Sequence, residues 1–126
     1  MVDESQFDFI FSYTRKEAIQ DGVLVDVSTM AKEAGFKFPV AVTAAVWELI
    51  NNYPEGQGQS VEGRLWDLLW MLRFAIQYGA KGDTVFFQVL VVAPPKVEAV
   101  EYTFKSVVGP GDNFEPVITI MMPNED

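Results

Sequence analysis

Histidine and cysteine are both absent from the chain. Their absence removes imidazole general bases, thiolate nucleophiles, disulfides and zinc sites built from Cys or His ligands. Carboxylate, hydroxyl, amine or phenol chemistry remains, or no chemistry at all. Cations are scarce too: nine Lys plus Arg stand against eighteen Asp plus Glu, a formal charge of −9, and Arg15-Lys16 is the only adjacent basic pair. Neutralising phosphates takes clustered cations, so no direct nucleic-acid binding is expected. No apolar run approaches the roughly 20 residues that span a bilayer. The start, Met1-Val-Asp-Glu-Ser5, is acidic where a secretory signal is basic and then apolar. The expectation is a cytoplasmic protein without membrane attachment.

What is present is ordinary globular material. Hydrophobic residues make up 49% and charged residues 21% of 126 positions, a balance that supports one domain over 1–126 with loose termini. Acids at the ends, Asp3, Glu4, Asp8, Glu125 and Asp126, fit such termini.

The N-terminal part alternates short elements. Phe7, Phe9 and Phe11 stand at strand spacing. Thr14 and Glu17 form a capping box that starts a helix over Arg15 to Gln20, Asp21-Gly22 ends it, and Val23 to Val27 reads as a strand. Ser28 caps a second short helix through Met30 and Ala34, closed by Gly35 in the left-handed conformation. Pro39 suits the first turn of a third helix, in which Val42, Val46, Leu49 and Ile50 recur at helical spacing. Asn51 to Gln59 carries Pro54 and two glycines and reads as a surface loop.

The longest helical pattern covers about residues 60–78. At about 100° per residue, Leu65, Leu68, Leu69, Leu72 and Ile76 share the core stripe. The opposite side gathers Glu62, Trp66, Trp70, Arg73 and Gln77, so two indoles lie among polar neighbours. Asp83 to Val92 is apolar on both faces and reads as a central or sandwiched strand. Val97 to Val108 alternates, with Val100, Tyr102 and Phe104 inward and Glu101, Thr103 and Lys105 outward. Gly109 to Asn113 turns the chain and Val117 to Met121 returns. The expected fold is an α+β domain, with a C-terminal three-stranded antiparallel meander packed on helices.

No G-x-S-x-G elbow, Walker loop, dinucleotide fingerprint or HExxH motif occurs, so no catalytic, cofactor-binding or metal-ligating residue is assigned. Gly109, Gly111, Asp112 and Glu115 form a weak loop site: glycines admit an anion to backbone amides, and the acids could hold a cation. A hairpin turn with glycine at positive φ explains the same residues. Asp67, Glu48 and Glu62 are carboxylates available for acid–base work, but Asp67 with Arg64 is more simply an i,i+3 ion pair. Trp66, Trp70, Arg73 and Glu62 are the candidate interface, because indoles dominate contact energetics when they anchor in a partner. The sheet or the Phe7–Phe11 segment covering the indoles is the alternative.

The blocks FIFSYTRKEAIQDGVLVDVS, EGRLWDLLWMLR and GPGDNFEPVITIMMP resemble those of a family of short acidic bacterial proteins of unknown function, often carried on plasmids, phages and integrated elements. The resemblance implies a shared fold and an accessory setting, and brings no activity, cofactor or catalytic residue. Three uses stay open: protein–protein contact or self-association, an acidic DNA mimic that inhibits a host-defence nuclease, and a carboxylate-dependent enzyme.

Overall fold

The computed structural model describes residues 13–125 apart from 55, 57 and 80; the Phe7–Phe11 segment lies outside the described residues. The chain forms α1 (Arg15–Gln20), β1 (Leu24–Asp26), α2 (Ser28–Glu33), β2 (Val40–Thr43), α3 (Ala44–Asn51), α4 (Val61–Gln77), β3 (Thr84–Val91), β4 (Val100–Pro110) and β5 (Pro116–Met121). The strands make one five-stranded sheet in the order β1-β2-β5-β4-β3. The expected three-stranded meander is therefore not a sheet by itself. β3, β4 and β5 do run antiparallel, but β5 also pairs in parallel with β2, which carries β1 at the far edge.

One face of the sheet carries the core. Val40 and Val42, Val85, Phe87 and Val89, Phe104, and Ile118 and Ile120 meet Ala31, Val46, Ile50 and the Leu65, Leu68, Leu69 and Leu72 stripe of α4. Each buried leucine contributes about 1.5–3 kcal/mol, which makes α4 the main clamp on the sheet. On the opposite face the Arg15 guanidinium of α1 donates to Thr119 Oγ1 at 2.8 Å and to the Ile118 carbonyl at 2.7 Å.

Local chemistry sets the helix starts. Thr14 Oγ1 accepts from the Glu17 N–H at 3.0 Å, and Ser60 Oγ from Gly63 N–H at 3.0 Å. The Asp112 carboxylate closes the same end of α1, accepting from the Arg15 and Lys16 N–H groups at 2.7 and 3.0 Å. Ser28 does not cap α2. Its hydroxyl donates to Asp26 and accepts from the Val40 N–H, stitching β1 to β2. Gly35 closes α2 at φ +97, as expected.

Four other expectations fail for physical reasons. Pro39 opens no helix: Val40–Thr43 forms strand β2, and Thr43 caps α3; Val40, Ala41 and Val42 are buried on both faces between β1 and β5, and such a run looks alike as strand or helix. β3 is an edge strand among the described residues, not a central one, with Phe86 and Leu90 exposed on its outer face. Ile76 is exposed, while Arg64, one turn from the start of α4, is buried in its place. The Arg64 guanidinium donates to the Asn52 carbonyl at 2.8 Å instead of pairing with Asp67.

Candidate interaction surface

The outer flank of α4 is built on aromatic residues at four-residue spacing, Trp66, Trp70, Phe74 and Tyr78, so each ring overlies the next turn. Trp66 is half-buried and packs against the core. Trp70 meets it edge-to-face, with centroids 5.8 Å apart and planes at 76°, and remains 45% exposed. Phe74 and Tyr78 continue the ladder at 4.4 Å and are more exposed still.

Arg73 is half-buried and serves two neighbours. Its Nη1 donates to the Ala34 carbonyl at 2.6 Å, completing the C-terminus of α2, and its Cζ lies 5.9 Å from the Trp70 ring centroid. A Cβ at Gly35 would occupy the position of this guanidinium. Glu62 is exposed in the first turn of α4, where its charge complements the helix dipole.

The apolar surface does not stop at the helix. A cleft of about 610 Å³ runs from Trp70, Met71 and Phe74 to Phe86, Val89 and Leu90 of β3, with Asp67 and Glu101 also on its walls. Phe86 is 57% and Leu90 66% exposed. Sequence reasoning picked Trp66 and Trp70 but missed Phe74, Tyr78, Met71, Phe86 and Leu90. The four-residue aromatic ladder was a legible signal for the first two. Phe86 and Leu90 were hidden because an apolar edge strand has the same pattern as a central one.

The Gly109–Glu115 loop is organised by its own side chains. The Glu115 carboxylate folds back over Gly111 and accepts from the Asn113 N–H at 2.9 Å, while Asp112 is held by α1. Gly109 and Pro110 extend β4, and the positive φ falls on Phe114 (φ 63), not on either glycine. A second cleft of about 320 Å³ beside this loop places Arg15 near Asp26, Asp112 and Glu115. Burial pushes the Arg15 guanidinium below its ordinary value, and those three carboxylates oppose the shift. Glu48, Glu62 and Asp67 are all exposed. Among the described residues no group of three acidic side chains is placed to hold a metal ion, and no helix is long and apolar enough to cross a membrane.

Fold and surface together define a small single-sheet α+β domain with an exposed apolar face along one sheet edge. The chain belongs to a family of unknown function, DUF6573, whose model matches residues 4–126. Neither the curated proteins nor the solved structures contain a match to it.

Proposed function

We propose that the chain acts by protein–protein contact in the cytoplasm, through the surface where α4 and β3 meet, rather than by turnover of a substrate. One observation carries this reading: Trp70, Met71, Phe74, Phe86 and Leu90 form an exposed apolar tract around a single cleft. Contiguous apolar patches of this kind mark interaction sites on soluble domains. Trp66 stiffens Trp70 from below, and Arg73 holds it from the side. A large rigid ring presented in this way is the usual form of an energetic anchor. The accessory, mobile-element setting implied by the sequence resemblance agrees with a protein whose work is binding.

The test is affinity capture with the full chain from the organism that encodes it, beside Trp70→Glu. That substitution places a charge in the tract without touching the core stripe. The reading expects the captured proteins, or a second copy of the chain, to fall at least about tenfold, with the melting temperature held to within a few degrees. Capture that survives Trp70→Glu in a folded protein overturns it.

A further inference from the structure

Resting on the reading of the α4–β3 tract as a contact surface, we infer that its occupant is a second copy of the chain, joined by antiparallel pairing of β3 with the partner's β3 about a two-fold axis at Phe87. The sheet would then continue across the axis, two sheets of five strands becoming one.

The argument begins with backbone accounting. The Val108 N–H donates to the Asp83 carbonyl at 2.8 Å, which makes Asp83–Val108 a hydrogen-bonded pair. In an antiparallel ladder such pairs alternate. With Thr84 opposite Val107, the bonded pairs are Val85–Ser106, Phe87–Phe104, Val89–Tyr102 and Val91–Val100. The N–H and C=O groups of Thr84, Phe86, Gln88 and Leu90 therefore point away from β4, and among the described residues no strand pairs with them. Edges that stay free carry lysines, prolines or bulges to prevent pairing. The strand Thr84-Val-Phe-Phe-Gln-Val-Leu-Val91 has no charge, no proline and an unbroken register with β4.

Self-complementarity selects the second copy. With the axis at Phe87, Thr84 faces the partner's Leu90 and Phe86 faces the partner's Gln88, so all four outward residues of both strands exchange their bonds. The rows of the outer face also agree in charge. Lys105 and Phe86 continue into the partner's Gln88 and the partner's Thr103, and Val107 and Thr84 into the partner's Leu90 and the partner's Glu101. No row brings like charges together. Area agrees as well. At the exposures of Trp70, Met71, Phe74, Phe86 and Leu90 (45, 42, 55, 57 and 66%), their side chains offer roughly 500 Å² of apolar surface per copy. Adding the strand backbone brings this toward the ~800 Å² per partner of a stable interface. A two-fold pairing uses each edge once and closes, whereas a head-to-tail contact would leave an edge for a third copy.

Sedimentation of the full chain at about 10 μM should give twice the 14.1 kDa of one chain. Gln88→Pro removes an N–H that has no partner among the described residues of one copy, so it should leave the circular dichroism unchanged and weaken association at least about 100-fold. Leu90→Lys, which keeps the backbone intact, should do the same through charge on the seam. Amide exchange at Phe86 and Gln88 should slow as protein concentration rises. A monomer with fast-exchanging edge amides overturns the inference. So does a monomer whose edge amides are slow, since the strand then comes from elsewhere in the chain, and so does a dimer indifferent to Gln88→Pro. If the chain is monomeric while Trp70→Glu still abolishes capture of a different protein, only the second-copy inference fails; if capture also survives Trp70→Glu, the contact reading fails with it.

Discussion

Arg64 is a cation that α4 buries to 8% exposure. Its Nη1 holds the Asn52 carbonyl, its Cζ lies 5.9 Å from the Tyr53 ring centroid, and its Nη2 has no hydrogen-bond partner among the described residues. Burial accordingly pushes the guanidinium below its ordinary value. A buried charge with so little compensation costs stability that an apolar side chain of similar length would not. Arg64→Met should therefore change unfolding free energy by no more than about 1 kcal/mol, whereas Arg64→Ala should cost about 2–4 kcal/mol by leaving a cavity. Urea midpoints separate the two, and equal losses would mean that the bond to Asn52, not the bulk, holds the site. Tyr13 shows the opposite balance at the surface. Its hydroxyl donates to Asp21 Oδ2 at 2.6 Å, and that bond, ahead of desolvation and the neighbouring negative charges, pushes it up to about 12. A folded value above the unfolded value of about 10 means a contribution complete below about pH 10 and lost as pH rises through about 12. Tyrosinate absorbance should show a late-titrating phenol at Tyr13 in the native chain, and Asp21→Asn should return it toward the ordinary range.

At the scale of elements, α2 and α4 are clasped where Arg73 reaches the Ala34 carbonyl across the bare α-carbon of Gly35. Gly35→Ala must put a side chain at φ +97, costing about 1–2 kcal/mol, and must also displace the guanidinium. Thermal unfolding should register a loss above the backbone cost alone, and Trp70 fluorescence should change as its cation partner leaves. The same elements show what the sequence discloses. The capping box places α1 at its observed bounds, because caps are local chemistry, and the leucine stripe places α4 to within a residue. β2 reads as helix in the sequence because Val42, Val46, Leu49 and Ile50 satisfy the helical period while Val40 and Val42 satisfy the strand period, and only the parallel partner β5, 78 residues on at Ile118 opposite Val40, decides between them. The edge position of β3 escapes the sequence for a related reason. Apolarity on both faces can mean cover on both sides or an edge awaiting it, and the chain order of strands does not reveal which. The indoles of the candidate surface were legible from the helical wheel; their continuation onto Phe86 and Leu90 depends on β3 lying beside α4.

Over the whole molecule the dominant long-range term is the formal charge of −9, with an isoelectric point near 4.3. Two copies meeting along β3 bring like net charges together, while the strand at their seam has no charge of its own. Added salt should therefore tighten association by screening the repulsion, about ten- to a hundredfold between 20 mM and 0.5 M NaCl, as the Debye length falls from roughly 20 Å to 4 Å. The absence of histidine removes the side chain that ordinarily changes charge near pH 6.5. Association should stay nearly level between pH 6 and 8 and strengthen below about pH 5, as carboxylates protonate and the repulsion fades. An acidic face that imitates nucleic acid would behave in the opposite way, because its grip on a basic partner is electrostatic and weakens as salt rises. Sedimentation of the full chain across a salt series reads the sign directly: tighter self-association at high salt is the signature of the apolar β3–α4 seam, and weaker association would assign the contact to charge.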